Sequence, residues 1–470
     1  MCIPKLFFCV FLPELVKLCK QFLKQSDGFA FLTFEIELHH LLKQFGDAIV
    51  ELRLLDAINA PDFVEQCIAE YRAKGYHVHK RNKRTTVQLY GGQTITIHTV
   101  YMLPKKPKKR GKKRGVGKRG KQGKGVYPVL KKLGIAHRAS PALQNEVTLS
   151  ALNNPFSEAA ENLKRHGVDV SQKRVRTISE HVAQAALKER EAEIEQFRNG
   201  TLPQGDTFAG KRVVVAIDGG RIHTRRSKKG RKKKGQKRQG FHTEWKEPKL
   251  LIIYAIDEKG EKLKEKEKLP ICDGTHEGRD RLKLLLKMCL HKAGALLAKE
   301  ITFIGDGASW ITNVANEIII EMNINPQKVH QVLDYYHACE KLWEVIDALQ
   351  NLTQKQKKRL YNKIKRQLKK GLIGSVIENL GQKAKGSRKA YKALRYFHDR
   401  EQQCRYDTFI NKNIPIGSGA IESAIRRVVN LRLKGAGMFW LEENVEAFLH
   451  LRCQLKTGRW NPFFLDMIKL

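Results

Sequence analysis

The sequence predicts an α/β fold in which a mixed sheet follows a mainly helical region and is interrupted by a helical insertion. The main observation is the stretch 301–337, where an apolar strand, an amphipathic helix and a second apolar strand follow one another. Two strands joined by a helix of this length form a parallel βαβ unit. Two further apolar runs that end in aspartate, KRVVVAID and KLLIIYAID, precede it. Because ligands bind at the carboxyl ends of such strands, acidic residues there are candidates for a site.

Length and charge indicate several domains and a polyanionic partner. A chain of 470 residues is too long for a single core, so two or three domains are expected. A net charge of +41 far exceeds what solubility requires, and nucleic acid is the commonest polyanion bound by such a surface. The nine cysteines include no CxxC pair, which argues against a zinc ribbon and for a reducing compartment.

The apolar N-terminus is interpreted as one face of a helix. MCIPKLFFCVFLPELVKL is interrupted by Lys5, Pro13 and Glu14 and is too short to cross a bilayer. A signal peptide is the alternative, but the segment lacks a small-residue cleavage site. We therefore expect a cytoplasmic protein with no membrane partner.

The N-terminal region, residues 1–104, is predicted to be helical and to carry one β-hairpin. Apolar residues recur at helical spacing through 14–74, and the pattern changes to a two-residue period in 84–103. Gly91–Gly92 is expected to form a two-residue hairpin turn. Residues 105–125 follow as a Lys/Arg- and Gly-rich linker without an acidic residue, expected to contact phosphates without reading sequence.

Residues 126–200 predict a second helical region, with the spacing of a helix-turn-helix. A short amphipathic helix ends at Gly167, and Ser171 caps a second helix. In a helix-turn-helix the start of the second helix reaches bases or phosphates. The candidate DNA-binding residues at this position are Lys173, Arg174 and Arg176. Many helical hairpins share this pattern without binding DNA, and the charge of the chain favours the DNA-binding interpretation. The charged segment 186–200 is expected to be a connector helix.

The order of strands and helices in 211–339 is that of an RNase-H-like mixed sheet, with its first three strands antiparallel and its later ones parallel. We expect the first strand at 211–218, then a strand region that contains the basic run 226–240, and then the strand KLLIIYAID. The Lys/Arg/Gln-rich segment 340–411 has helical apolar spacing and is interpreted as an insertion. Residues 412–460 complete the predicted catalytic domain.

Three carboxylates in this region fit a metal site. Asp218 and Asp306 end the first and fourth strands, and Glu422 falls early in a helix that follows a Gly-Ser-Gly turn. Phosphodiester chemistry at neutral pH uses two Mg²⁺ ions about 4 Å apart, and carboxylate oxygens are the ligands that Mg²⁺ prefers. Two aspartates before glycine are also ordinary turn residues, and Glu422 has a possible surface partner in Arg426 at i+4. The three residues are far apart in sequence, which favours a shared site.

Motifs in these segments resemble those of a known enzyme family. They are VVVAIDGGRIHTRR, WKEPKLLIIYAIDEKG, FIGDGASWI, VLDYYHACEKLW and PIGSGAIESAIRRVVNLRLKGAGMFW, together with PFSEAAENLKRHGVDVS. The chain resembles DDE-type transposases of bacterial insertion sequences, of the Kra group and related to the Mutator-like superfamily, over residues 126–460. The N-terminal region departs from the family pattern because cysteine pairs are missing around its hairpin, so no zinc site is expected.

The resemblance implies an enzyme that cleaves the ends of its mobile element and joins the 3′-OH ends to target DNA. It implies a catalytic, metal-binding triad of Asp218, Asp306 and Glu422 with two Mg²⁺ or Mn²⁺ ions. Asp334 and His337 match the superfamily's [Cys/Asp]-x-x-His element. The expected partner is double-stranded DNA, bound by a homodimer or a larger assembly.

Individual roles follow as hypotheses. Asp218 is expected to bridge both metals, with Asp306 and Glu422 each completing one. Asp334 and His337 are expected to orient the scissile phosphate or a flipped base, or to hydrogen-bond at the strand edge. Expected phosphate contacts near the Glu422 helix are Arg426, Arg427, Arg432 and Lys434.

Alternatives remain for both the residues and the function. Trp440 is either a base-stacking residue or, as the pattern favours, a core aromatic. Asp273 and Glu277 are alternative metal ligands. An RNase-H-fold nuclease or resolvase would use the same carboxylates without strand transfer, and a catalytically silent DNA-binding relic of a transposase would use none of them.

Overall fold

The computed structural model describes residues 3–24, 27–105, 125–228, 240–265, 268–350 and 352–469, together with Gly230 and Gly235. Most of the predicted linker 105–125 and most of the basic run 226–240 lie outside these residues. The chain divides into two compact units, one of residues 1–182 with 468–470 and the other of residues 183–467. No helix in the described ranges is both long enough and apolar enough to cross a membrane.

The first unit is mainly helical, as predicted, and contains one long β-hairpin. A π-helical turn, Phe7–Phe11, joins its first two helices. The elements are α1 (Ile3–Leu6), α2 (Leu12–Lys24), α3 (Gly28–Asn59), α4 (Pro61–Ala73), β1 (Tyr76–Gln88), β2 (Thr94–Pro104), α5 (Pro128–Lys132), α6 (Pro141–Asn153), α7 (Phe156–Arg165) and the start of α8 (Gln172–Arg198).

The hairpin lies where the sequence predicts it, but its turn is longer than expected. The amide of Leu89 donates to the carbonyl of Gln93, which leaves three residues in the loop instead of two. Gly92 adopts a φ of +105°, a conformation that glycine tolerates and other residues rarely adopt. A side chain on Gly91 would collide with the Asp47 carboxylate, whose oxygens accept from the amides of Gly91 and Gln93.

The two helices of the predicted helix-turn-helix are present. Gly167 follows α7 in the turn between the two helices and adopts a φ of +82°. At the start of α8, the Ser171 hydroxyl accepts from the amide of Arg174. Residues from both helices, including Leu163 and Val175, share one core. The connector predicted at 186–200 is not a separate helix, because α8 continues without a break to Arg198.

The second unit contains two sheets and the remaining helices. Its strands are β3 (Arg212–Gly219), β4 (Ile222–Ser227), β5 (Phe241–Lys246), β6 (Lys249–Ile256), β7 (Ile271–Thr275), β8 (Glu300–Gly305), β9 (Val329–Leu333) and β10 (Trp440–Leu441). Its helices are α9 (Arg279–Lys292), α10 (Ser309–Glu321), α11 (Tyr335–Asp347), α12 (Gln354–Lys369), α13 (Ile373–Lys383), α14 (Arg388–His398), α15 (Tyr406–Asn411), α16 (Gly419–Ala424), α17 (Glu442–Lys456) and α18 (Trp460–Lys469), the last running to the edge of the unit.

The larger sheet is mixed and has the strand order β7-β6-β3-β8-β9. β3, β6 and β7 pair antiparallel, whereas β8 and β9 run parallel to β3. β3 is central, and its residues from Arg212 to Ile217 are buried. Helices α9 and α10 cover one face through residues such as Leu285 and Val314. The expected α/β class, with antiparallel strands before parallel ones, is confirmed.

Two strand assignments in this unit are wrong. The third antiparallel strand is β7, which the sequence pattern did not predict. The strand region after β3 instead forms a separate three-stranded sheet of order β10-β4-β5. The segment ICDGT escaped notice because five residues between a turn and a helix show little periodicity.

The predicted helical segment 340–411 is helical. It contains the end of α11, then α12 to α15, and one 3₁₀ turn at Glu401–Cys404. After it, α16 passes directly into a π-helical stretch, Ile425–Asn430. Ile425, Val428 and Val429 of this stretch are buried, and so is Leu433 in the turn that follows it.

Candidate metal centre at the carboxyl edge of the mixed sheet

Asp218 lies at the carboxyl end of the central strand. β3 is a run of buried β-branched residues and alanine, and its backbone pairs with β6 through Gly219 and with β8 as far as Ala216. One carboxylate oxygen of Asp218 accepts from the amide of Gly219 at 2.6 Å. The side chain is therefore held at the point where the strand leaves the sheet.

Asp306 directly follows the neighbouring parallel strand. Because β3 and β8 run in the same direction, their carboxyl ends lie at the same edge of the sheet. The Asp306 carboxylate accepts from the amide of Ala308 at 2.8 Å, which stabilises the turn into α10. Gly307 adopts a φ of +83°, and a side chain there would collide with Tyr396.

Asp334 and His337 follow β9, the next parallel strand. Asp334 is the N-cap of α11, and its carboxylate accepts from the backbone amide of His337 at 2.7 Å and from His337 Nδ1 at 3.2 Å. The aspartate is fully buried. A buried carboxylate is tolerated where hydrogen bonds satisfy it, and here the Asp-x-x-His spacing supplies them within a single helical turn.

Glu422 reaches the same site from a helix that lies far along the chain. The second oxygen of Asp334 accepts from the amide of Ser418, the N-cap residue of α16. The amide of Tyr335 donates to the carbonyl of Ile416 at 2.8 Å, so two hydrogen bonds join the end of β9 to the start of α16. The Ser418 hydroxyl donates to Glu422 at 3.0 Å instead of capping the helix, and no ion pair of Glu422 with Arg426 occurs among the described residues.

The carboxylates of Asp306 and Glu422 act electrostatically on Asp218. Burial raises the pKa of Asp218, and the negative charges of Asp306 and Glu422 raise it further. The Gly219 amide and the His337 imidazole oppose this, and the resulting pKa is about 6. A nearby cation would favour the ionised form of Asp218 and so oppose these two causes of its raised pKa.

His337 and Asp334 form a tight pair beside these carboxylates. The hydrogen bond to Asp334 raises the pKa of His337 to about 9, although partial burial opposes this. Burial would raise the pKa of Asp334, but hydrogen bonds from His337 and Ser418 outweigh it and lower the pKa to about 2. At neutral pH His337 is therefore a cation and Asp334 an anion.

A metal ion fits this group of residues. Ligand atoms of Asp334, His337 and Glu422 all lie within 4.8 Å of one another, so these three could hold one. Two of them are already engaged, since both Asp334 oxygens accept hydrogen bonds and a protonated imidazole has no lone pair for a metal. Glu422 is exposed and its one described hydrogen bond is to Ser418. The donors available beside the engaged pair are thus carboxylate oxygens, which suit hard cations such as Mg²⁺ and Mn²⁺.

Known proteins offer no identification of this site. No family model matches the chain, and neither a curated protein nor a solved structure is similar to it. The arrangement of the residues is the basis for the assignments that follow.

The helical segment supplies site residues that the sequence analysis missed. The Tyr396 hydroxyl on α14 donates to the Asp306 carbonyl at 2.7 Å, and Arg400 donates through Nε to the Gly307 carbonyl at 2.8 Å. The hydroxyl of Tyr406 donates to the Leu333 carbonyl at 3.0 Å, just before Asp334. These contacts hold the two loops of the site from outside the sheet. No local pattern identifies them, because the contacts go to backbone atoms distant in sequence.

The alternative acidic ligands are placed elsewhere. Asp273 is buried on β7 and bonded to Arg190 at 3.1 Å and to His450 at 3.0 Å. Glu446 accepts from the same arginine at 2.5 Å. Burial opposes ionisation of Asp273, but His450 and Arg190 outweigh it and hold its pKa well below the usual range. Asp273 thus belongs to a buried ion network. Glu277 lies 3.6 Å from Arg281 in an i+4 pair.

The basic residues predicted near Glu422 divide into exposed and buried ones. Arg426, Arg427 and Lys434 are exposed, as phosphate contacts require. Arg432 is only 2% exposed and its guanidinium carbon lies 5.0 Å from the centre of the Trp440 ring, so its predicted phosphate contact is wrong. Trp440 is buried too, which confirms the core interpretation.

The candidates at the start of α8 also differ from one another. Lys173 is exposed. Arg174 is partly buried and donates to the Arg138 carbonyl at 3.0 Å, while burial and the Arg138 charge lower its pKa. Arg176 pairs with Glu180 at 2.8 Å. Lys173 is therefore the one of the three whose charge is directed to solvent.

Proposed function

We propose that this chain is a DNA transposase of the DDE type, which cleaves the ends of its insertion sequence and joins the freed 3′-OH ends to target DNA. The observation that carries the proposal is the placement of Asp218 and Asp306 at the ends of adjacent parallel strands, with the start of the Glu422 helix joined to the end of the next parallel strand through Asp334. Asp218, Asp306 and Glu422 come from two parallel strands and a helix that lies beyond a long helical insertion. Because these residues are far apart in sequence, the tertiary fold brings them together and no local turn does.

The sheet supports an RNase-H-like interpretation of the catalytic domain. An order of three antiparallel strands followed by two parallel ones is the order expected for that fold. Asp218 and Asp306 end adjacent strands in this arrangement, which is the relation that a shared metal site needs. The basic character of the whole chain, +41 in net charge, agrees with a DNA substrate.

The residues proposed to hold the metal are Asp218 for both ions, and Asp306 and Glu422 for one each. Two Mg²⁺ or Mn²⁺ ions bound there would supply activation of the attacking oxygen and stabilisation of the leaving oxygen. Asp218, with a pKa of about 6, must lose its proton for this role, so binding of the metal is expected to release protons.

The remaining residues act on the DNA and on the site's geometry. Protonated His337 presents positive charge to the scissile phosphate, and Asp334 holds the imidazole and the start of the Glu422 helix together. Arg426, Arg427 and Lys434 are proposed to contact backbone phosphates. We propose a homodimer or larger assembly on double-stranded DNA, because two element ends must be joined, and a cytoplasmic location.

The test is a strand-joining assay. A duplex with the inverted repeats that flank the chain's own gene is incubated with Mg²⁺ and a supercoiled plasmid. Wild type is expected to release 3′-OH ends and to join them to the plasmid. Asp306→Asn should reduce both products by more than about 100-fold, since loss of even a neighbour of a metal ligand costs 10- to 100-fold. Exposed Asp399→Asn is the matched control, expected to behave as wild type. Wild type that binds this duplex without cutting it would point instead to a silent DNA-binding relic.

A nuclease or resolvase is the second candidate, because the site chemistry is the same up to the first cut. The products distinguish the two. Cleavage without any plasmid joining, under conditions where the 3′-OH ends persist, would favour the nuclease.

A further inference from the structure

A small sheet next to the site carries a cluster of aromatic side chains on one face. In the antiparallel pair β4–β5, His223 lies opposite Trp245, and Ser227 lies opposite Phe241. The ring centres of His223 and Trp245 are 3.5 Å apart. Phe439, the residue before β10, lies 5.4 Å from His223 and 5.5 Å from Phe241. We refer to His223, Trp245, Phe241 and Phe439 as the aromatic platform.

The platform is open to solvent. Trp245 is 54% exposed and Phe241 is 41% exposed. Large aromatic residues on a sheet normally cover a core, and exposed groups of them mark binding surfaces. Trp440, next in sequence to Phe439, is buried and donates through its indole nitrogen to the Leu433 carbonyl at 3.1 Å. It anchors β10 below the platform, whereas Trp245 presents its ring to solvent.

The charge around the platform is positive. Arg225 lies on the same face, two residues from His223, and its guanidinium carbon is 5.5 Å from the centre of the Phe241 ring. Its Nε is buried and has no hydrogen-bond partner in the part of the chain that the structure describes. The sequence that joins the two strands, residues 228–240, contains many Lys and Arg residues and no acidic one. An anionic partner that also offers flat apolar faces matches both properties.

The platform begins close to the candidate metal centre. β4 starts at Ile222, four residues after Asp218, and the amide of Gly220 donates to the Pro248 carbonyl at 2.8 Å to close the base of the hairpin. His223 is five residues from Asp218, a path of at most about 17 Å along the chain. If a phosphate of a DNA strand lies at Asp218, the next few nucleotides of that DNA strand are therefore within reach of the platform.

We propose that the aromatic platform binds unpaired nucleotides of DNA next to the cleaved phosphate, a role that rests on the proposed function. Bases in a duplex stack on one another and offer no free face, whereas unpaired bases stack on exposed aromatic rings. Trp245 provides the stacking surface, His223 and Phe439 support it from behind, and Arg225 contacts the backbone.

Fluorescence anisotropy of labelled DNA tests this with the full-length chain in Ca²⁺ or without metal, so that no cutting intervenes. One probe is a duplex with a short unpaired thymidine arm, and the other is the same duplex with a blunt end. Trp245→Ala should weaken binding of the armed probe by about 5- to 150-fold, the range for loss of one stacked base. Binding of the blunt probe should not change, and Trp245→Phe should retain most of the affinity for the arm.

Two further variants separate stacking from other roles. Tyr391→Ala, which removes an exposed aromatic of α14, is the matched control and should leave both affinities unchanged. Arg225→Gln should reduce the dependence of armed-probe binding on salt, whereas Trp245→Ala should leave that dependence as in wild type.

Three results would overturn the proposal. The first is that Trp245→Ala and wild type bind the armed probe with equal affinity, and the second is that Trp245→Ala loses affinity equally for both probes. The third is that Trp245→Ala binds DNA normally but no longer self-associates in sedimentation, which would assign the platform to a second copy of the chain. The proposed function is tested separately by the strand-joining assay. If wild type joins DNA ends but Trp245→Ala still binds the arm, only the proposed role of the platform is refuted. If wild type binds the arm through Trp245 but does not cut DNA, only the proposed transposase activity is refuted.

Discussion

Replacement of Asp334 by asparagine tests how the site is held together. The fully buried carboxylate accepts from the backbone and ring of His337 with one oxygen and from the Ser418 amide with the other. Asparagine keeps the size of the side chain but presents an amino group on one side. That amino group must face an N–H donor, from either His337 or Ser418, so one hydrogen bond becomes a repulsive contact.

The magnitude follows from the shift in the pKa of Asp334. Burial opposes the charge, yet the hydrogen bonds from His337 and Ser418 lower the pKa from 3.8 to about 2. At 1.36 kcal/mol per pKa unit, the folded state is stabilised by about 2 kcal/mol through this carboxylate. We expect the free energy of unfolding of Asp334→Asn to fall by a similar amount, about 2 kcal/mol.

The pH dependence gives a second readout of the same effect. Because the pKa is lowered in the folded state, the stabilisation is complete above the unfolded value of 3.8 and is lost as the pH falls through about 2. The difference between wild type and variant should therefore be greatest near pH 5 and should narrow below about pH 4. It should also narrow as the pH rises above about 6.5, because Asp334 raises the pKa of His337 to about 9 in folded wild type and that stabilisation is complete only below the unfolded value of 6.5.

Urea unfolding followed by tryptophan fluorescence is a suitable assay, since a shift in midpoint at constant slope measures stability. Asp399→Asn, which changes an exposed aspartate of the same unit, is the control and should shift the midpoint little. A variant at Asp334 as stable as wild type at pH 7 would refute the reasoning. So would a stability difference that grows as the pH falls below about 4.

Two further substitutions test the buried ion network of Arg190 and the close approach of Gly307 to Tyr396. Arg190→Met leaves two buried carboxylates without their cation and should lower the free energy of unfolding, measured in urea, by about 3–5 kcal/mol. Arg198→Met, on the exposed end of the same helix, is the control and should lower it by less than about 0.5 kcal/mol. Similar losses for both variants would argue against the buried network. Gly307→Ala combines a φ of +83° with a clash between the added Cβ and the Tyr396 hydroxyl, so it should lower both stability and DNA cleavage. At Gly278 the φ is +103° and an added Cβ would meet no atom within 4 Å, so Gly278→Ala is the control and should show only the backbone cost of about 1–2 kcal/mol. A Gly307→Ala variant that is no less stable than this control would contradict the predicted clash.

The sequence predicted those parts of the fold and site that depend on local pattern. The buried run that ends at Asp218 and the alternation that ends at Asp306 and Asp334 are visible as apolar segments followed by polar ones. Because parallel strands place their carboxyl ends together, the shared edge followed from strand order alone. The inward face of the helix after Glu422 followed from its spacing in the same way.

The remaining features depend on contacts between distant residues. The sequence favoured a core position for Trp440 over base stacking, which its burial confirms, but it gave no indication of the exposed Trp245 on the sheet that β10 joins. Arg432 resembles its exposed neighbours in sequence, yet the turn after the π-helical stretch directs it inward against Trp440. The support of the Asp306 loop by Tyr396 was hidden because that hydrogen bond goes to a carbonyl group 90 residues away. None of these leaves a periodic signal.

The most direct test of the metal centre is a change of ligand chemistry at Asp306. In Asp306→Cys a thiolate replaces a carboxylate, and Mn²⁺ accepts this softer ligand better than Mg²⁺ does. DNA cleavage is measured on the duplex with the element's ends, with each metal in turn. The account predicts that wild type cuts with either metal, that the cysteine variant is inactive with Mg²⁺, and that Mn²⁺ restores measurable cleavage. A cysteine variant that cuts as well as wild type in Mg²⁺ would contradict the assignment of Asp306 as a metal ligand.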